Sequence, residues 1–290
     1  MLRTTLAGLR AHKLRLLLTA VAITLGVGFI SGTFVLTDTM DKGIAKTFAR
    51  SADKVDVAVL PGDNGQEDGI PASVPQKVRA LPGVTDVRGV VKGDAALVGK
   101  DGKAVGDFPT VGMSVPSGRL LRYEVDEGRP PSGSGETVLD SKLAEREGYG
   151  IGDTVTVLDS KHRPHRFSVV GLVDLGIDEE ASFRGAVGFD EPTTMLMTGE
   201  KTYQEIDVAG GEKSAVRGAV GPSYDVYTGS ELGEMLAKKA GADTQIIRTG
   251  LLIFGLVALL VSALVIYNTF AILIAQRMRE MALLRCVGGN

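Results

Sequence analysis

The stretch Thr249–Gln276, TGLLIFGLVALLVSALVIYNTFAILIAQ, runs for 28 residues without a charged side chain, between Arg248 and Arg277. A helix needs roughly 20 mostly apolar residues to cross the hydrocarbon layer of a bilayer. At about 1.5 Å per residue this one would reach roughly 42 Å, longer than the ~30 Å core, so it is expected to tilt or to emerge as a stalk. A second run of 22 uncharged residues, Leu16–Thr37, lies between Arg15 and Asp38. It follows a basic segment, as the apolar part of a signal peptide would. It exceeds the usual 7–15 residues of such a region, however, and no A-x-A site ends it, so a retained anchor is expected.

Positive charges near the membrane ends set the orientation. Residues 1–15 carry Arg3, Arg10, Lys13 and Arg15 with no acid, and residues 277–290 carry Arg277, Arg279 and Arg285 against Glu280 alone. The segment between the apolar runs, 38–248, has a net charge of −9. Both termini are therefore expected in the cytoplasm of a cell-membrane protein, with the acidic middle outside. Its basic residues form no single stripe, which argues against nucleic-acid binding. The lone cysteine, Cys286, falls on the inner side. The outer segment can thus hold no disulfide, and a core must support it, which a domain of that size can build.

The pattern divides the chain into a cytoplasmic amphipathic N-terminus (1–15, with Leu2, Leu6 and Leu9 on one face), a first span (16–37), an outer domain (38–248), a second span (249–276) and the start of an inner loop (277–290). In the first span Gly28 and Gly32 form G-x-x-x-G, and Ala22 and Gly26 repeat the spacing, which permits close helix packing in lipid. Asn268, polar within the second span, can hydrogen-bond across helices or be satisfied at the interface.

The outer segment reads as short strands and helices. Val55–Leu60 alternates as a strand; Ser73 is placed to cap a helix over Val74–Leu81; Val84–Val91 reads as a strand. A second such unit is expected at Tyr203–Ala209, Lys213–Val220 and Tyr224–Tyr227. Together they suggest an α+β sandwich assembled from βαβ-type units at opposite ends of the domain. Between them a β-rich insert is expected at about 130–200. It would contain a strand at Thr137–Leu139, a helix from a Ser141 cap to about Glu147, and a hairpin of Thr154–Leu158 with Arg166–Val173. The loop Asp159–His165, with His162 and His165 beside Lys161 and Arg166, reads as solvated and not as a metal site. Thr228-Gly229-Ser230 should start a helix that continues into the second span.

No enzyme emerges. There is no G-x-x-x-x-G-K-[ST], no H-E-x-x-H and no G-x-S-x-G, and no cofactor or metal is expected.

Three stretches resemble the FtsX-like, MacB-type permease family of ABC transporters. Ile266–Phe270 (IYNTF) and Gln276–Gly288 (QRMREMALLRCVG) are similar to the family's second transmembrane helix end and following loop, R-x-R-E-x-A-L-L-R-x-x-G. Within Gly135–Val157, Leu143-Ala144 and Gly152–Val155, followed by Phe167–Gly171, are similar to the family's extracytoplasmic core domain. The third stretch is the opening, Leu9-Arg10 through Leu36-Thr37-Asp38. The resemblance implies a homodimer or pseudo-dimer of permease, a separate ABC ATPase docked on the inner loop, and ATP-driven motion carried along the helices to the outer domain. ATPase contacts are expected at Arg277, Met278, Arg279, Glu280, Met281, Leu284 and Arg285, although the positive-inside rule alone could account for the arginines. Family members carry at least two further spans, so the sequence is expected to be a piece of a longer permease or an unusual short one. Two other readings stay open: a non-transporting transmitter that activates an outer partner, and a two-span sensor whose outer domain binds a ligand.

Overall fold

The structure is a computed structural model and describes residues 13–62, 69–175, 178–286 and 288. The expected amphipathic N-terminus at 1–15 lies outside these residues except for its last three positions. In chain order the elements are α1 (Lys13–Ala52), β1 (Val57–Pro61), β2 (Ile70–Pro71), α2 (Ser73–Arg79), β3 (Val84–Val90), β4 (Lys92–Asp94) and β5 (Ala96–Val98). Then come β6 (Val111–Ser114), β7 (Glu124–Gly128), β8 (Glu136–Asp140), α3 (Ser141–Glu147), β9 (Thr154–Leu158), β10 (Pro164–Asp174) and α4 (Glu179–Arg184). The chain continues with β11 (Ala186–Phe189), α5 (Glu191–Thr198), β12 (Thr202–Tyr203), β13 (Glu205–Gly210), α6 (Lys213–Val220), β14 (Tyr224–Thr228) and α7 (Gly229–Cys286). They form two units, residues 1–43 with 241–290, and residues 44–240.

Residues 44–240 carry two large sheets. The first has the order β14-β1-β13-β3, with every neighbouring pair antiparallel. Hence β1 and β3 run parallel with β13 between them, and β13 and β14 run parallel with β1 between them. These are two interleaved split βαβ units, β1-α2-β3 and β13-α6-β14, the ferredoxin-like arrangement. Period-2 alternation assigns the faces. Val57, Val59, Ile206 and Val208 join Val74 and Val78 of α2 and Val216 of α6 in one core. Ala58 and Ala209 point to the opposite face, where they pack with Ala52, Val55, Leu120 and Leu232.

The second sheet is inserted between the two units, in the order β4-β6-β11-β8-β10-β9-β5, with β7 also paired to β10. It begins at Lys92, well before the expected start near residue 130, because its first strands are only three residues long and show little alternation. The expected hairpin is present, with Leu158 opposite Pro164 and Thr154 opposite Ser168.

Both expected caps are displaced by one residue. At α2 the N-cap is Ala72, already helical at φ −60° and ψ −13°, so Ser73 lies inside the first turn and makes no cap bond. At α3 the extended residue is Asp140, which ends β8; its carboxylate accepts the Leu143 N–H at 3.0 Å, while the Ser141 hydroxyl bonds Asp126 instead. The loop expected to be solvated is organised around buried Asp159. That carboxylate accepts the backbone N–H groups of Lys161 and Arg163, both at 2.9 Å, and the Arg163 Nε at 2.8 Å, with His165 Nε2 3.1 Å away. Residues 160–164 are exposed, as a solvated loop should be, while these contacts hold Asp159 well below the usual carboxylate range against the opposing effect of burial.

The other unit holds the apolar helices. Two stretches, Ile23–Ala52 and Arg248–Leu283, are long and apolar enough to cross a membrane. Within the unit they pack antiparallel: the Phe29 and Phe254 rings meet edge to face at 5.2 Å, and the Arg248 guanidinium lies 5.5 Å over the Phe34 ring. Small residues allow the approach. A Cβ on Gly26 would lie 3.2 Å from Leu259, and one on Gly255 would lie 3.0 Å from Ile30. Thr33, Thr37, Ser262 and Thr269 are buried, and each hydroxyl donates to the carbonyl one turn earlier, so no polar group is left open to lipid at these positions.

Candidate functional site

In residues 44–240 the end of α1 and the start of α7 meet on one face of the first sheet. Thr228 and Glu231 form a capping box that launches α7: the Glu231 N–H donates to the Thr228 hydroxyl at 3.3 Å, and the Thr228 N–H donates to the Glu231 carboxylate at 2.7 Å. Lys213 adds an ion pair, and together these contacts hold the Glu231 carboxyl at about 2. The first turn of α7 lies against the last turn of α1 at contact distance. A Cβ at Gly229 would fall 2.2 Å from the Val55 carbonyl oxygen and 2.6 Å from that of Ala52, and one at Gly233 would fall 3.2 Å from the Ala52 Cβ. Leu232 and Leu120 are fully buried beside them, Leu120 arriving from the segment that leads out of β6.

Beside this apolar contact sits a charged cluster. Alternation along β13 puts Glu205, Asp207 and Ala209 on the same face, so two carboxylates point where the helix ends pack. Arg122 covers them. Its Nη1 donates to Glu205 at 2.6 Å and to Asp207 at 3.3 Å, and its Nε donates to the Ser51 hydroxyl at 3.0 Å on the last turn of α1. One guanidinium thus ties the insert segment, the first sheet and a helix end together. Lys92 of β4 pairs with Asp178, the N-cap of α4.

Burial alone would lower the pKa values of Arg122 and Lys92, but their acidic neighbours hold both raised. Tyr123 is pushed up by burial. Asp207 is raised well above the usual range, first by burial and then by Glu205. The two partners of Arg122 therefore differ: the shorter bond goes to Glu205, and Asp207 receives less of the positive charge. The cluster lines a cavity of about 80 Å³, with Phe48, Ser114 and Leu236 among its walls. That is room for a few waters, far below the roughly 300–1,000 Å³ of a small-molecule site. The arrangement suits a mechanical joint.

Residues singled out from the sequence fall elsewhere. Gly28 and Gly32 lie on α1 with nothing within 4 Å of a Cβ placed on either, whereas Gly26 of the same helix packs against α7. Asn268 is exposed on α7, as are Met278, Arg279 and Met281. The side chains of Arg277, Glu280, Leu284 and Arg285 lie outside the described residues. Arg122, Glu205 and Asp207 carried no motif. Their one signal was a pair of acids in register on alternate positions of a strand whose other face is entirely apolar.

The family described as MacB-like periplasmic core domain matches residues 16–219, and the chain belongs to it. It is a membrane protein with an extracytoplasmic α/β domain flanked by two apolar helices. No curated protein matches. Among solved structures, the periplasmic region of MacB from Actinobacillus actinomycetemcomitans is similar at TM-score 0.46 and 13% identity, over 63% of this chain and 94% of that one. The extracellular domain of the ABC-type transporter YknZ from Gram-positive bacteria is similar at TM-score 0.42 and 13% identity, over 60% and 99%. A domain of a putative permease protein from Porphyromonas gingivalis gives TM-score 0.36 and 11% identity, over 60% and 86%.

Proposed function

We propose that this chain is the permease side of an ABC-type exporter or mechanotransmission complex, in which a separate ATPase drives movement of the extracytoplasmic domain. Membership of the MacB-like family supports the class. The observation that carries the mechanism is the joint: the ends of both apolar helices root on one sheet face, through Gly229, Gly233 and the Arg122 cluster. At α7 no loop separates the helix from β14, so a displacement of that helix end is passed directly to the sheet.

In this reading both termini are cytoplasmic and ATP hydrolysis occurs in the partner subunit. The ATPase docks on Arg277–Arg285, where Met278 and Met281 offer an exposed apolar edge. The permease works as a homodimer or pseudo-dimer, and the Gly28–Gly32 face is open to a second copy. Work on a substrate takes place outside the joint, since its cavity holds only water-sized guests.

Co-purification in mild detergent tests the reading, with the longest native version of the chain as bait. An ATPase should be recovered with wild type and weakened by Glu280→Ala or Arg285→Ala. Failure to recover any ATPase, even with nucleotide and crosslinking through Cys286, would remove the reading's main support.

A further inference from the structure

We propose that the Glu205–Asp207 carboxyl pair beneath Arg122 is a proton-binding site, which keeps one proton and a single negative charge in the folded protein. The geometry supplies the case. The two residues sit two apart on β13, on the same face, and one nitrogen, Arg122 Nη1, reaches both, Glu205 at 2.6 Å and Asp207 at 3.3 Å. One guanidinium carries a single positive charge and cannot compensate two ionised carboxylates at once.

The surrounding charges demand the same outcome. From the insert segment come Arg122 and Tyr123, from β4 Lys92, from the start of α4 Asp178, and from β3 Arg88. Arg88 is paired with Asp86 and lies half exposed at the rim. Lys92 is engaged by Asp178. The helix ends contribute Phe48, Ser51 and Leu236, none of them titratable. Arg122, largely buried, and Lys92, partly buried, therefore face three carboxylates, and one negative charge would remain uncompensated. A buried unpaired charge neutralises by taking a proton. Arg122 selects which: it lies closer to Glu205, and Asp207, 2% exposed, holds the proton.

The sign of the linkage follows. The unfolded chain releases this proton in the ordinary carboxylate range near 3.8, whereas the folded pair keeps it to higher pH. Between those points the folded state binds more protons, so the stability from this site is fully present at low pH and is lost as pH rises. The site lies in the extracytoplasmic domain, so it titrates against the outer solution.

Infrared spectroscopy of the full chain in detergent micelles at neutral pH tests this directly. The folded wild type should show a protonated-carboxyl stretch that disappears on raising the pH and on thermal unfolding. Asp207→Asn, a neutral isostere of the protonated acid, should lose that band and also the decline of unfolding temperature with rising pH. Glu205→Gln should lose the band too, because Asp207 would then ionise against Arg122. This second variant keeps the test decisive if the first folds poorly. No protonated carboxyl in the folded wild type, or a band that survives both substitutions, would overturn the proposal.

Discussion

The Nη1 of Arg122 lies 2.6 Å from the Glu205 Oε1, and both side chains are largely buried where the insert segment crosses the first sheet. Removing the cation would leave the negative charge of the buried carboxyl pair without its counter-charge. Arg122→Ala should therefore cost about 3–5 kcal/mol in denaturant unfolding. Arg119→Ala, which breaks a pair with Asp56 that is about half exposed, should cost about 1 kcal/mol or less. Equal effects from the two variants would mean that the cluster is not a structural tie.

Gly229 at the joint should tolerate nothing larger. At Gly229 an added Cβ meets two backbone oxygens, which cannot swing aside as a side chain could. Gly229→Val should lower stability by about 1–3 kcal/mol or more. Gly218, exposed within α6 with nothing within 4 Å, gives the opposite expectation: Gly218→Ala should stabilise by up to about 1 kcal/mol. Thermal unfolding of both variants checks the contrast.

Much of this was legible in the sequence, and the parts that were not share a cause. The two apolar runs, the boundaries of α6 at Lys213–Val220 and the strand–helix–strand units were all readable, because each rests on local periodicity or on Gly and Pro punctuation. The caps at Ala72 and Asp140 each missed by one residue, since a cap is fixed by where the extended backbone stops, and Ser73 and Ser141 carry the right chemistry one position late. The early start of the second sheet escaped because Lys92–Asp94 and Ala96–Val98 are too short to alternate. Of the joint, only the start of α7 at Thr228-Gly229-Ser230 was legible. Arg122 meets Glu205 and Asp207 across more than 80 residues, and the alternating acids of β13 do not tell which cation covers them.

Within the helix pair, Gly255 and Gly28 should respond differently. Gly255→Leu would drive a side chain into Ile30 and Phe29 and should lower the unfolding temperature in detergent. Gly28→Leu should leave that temperature unchanged, yet weaken self-association in light scattering if its open face receives a second copy. Unchanged self-association would move the dimer contact off this face.

Acid should weaken the start of α7. Glu231 is held at about 2 by Lys213 and by the Thr228 N–H. Because the folded value lies below the unfolded one, near 4.5, the contribution is present above about 4.5 and is lost as pH falls through about 2. Glu231→Gln should flatten that acid limb in a circular-dichroism titration. An unaltered limb would show that the capping box does not govern it.

The joint can also be locked reversibly. With Cys286 replaced by serine, cysteines at Ala52 and Gly233 would have Cβ atoms about 3.2 Å apart, close enough for a disulfide after a small adjustment. The measurement is ATP turnover by the complex of this permease with its ATPase, before and after oxidation. If helix motion is transmitted through the joint, turnover should fall several-fold on oxidation and recover with reductant. Equal turnover with the lock formed and reduced would contradict transmission through the joint.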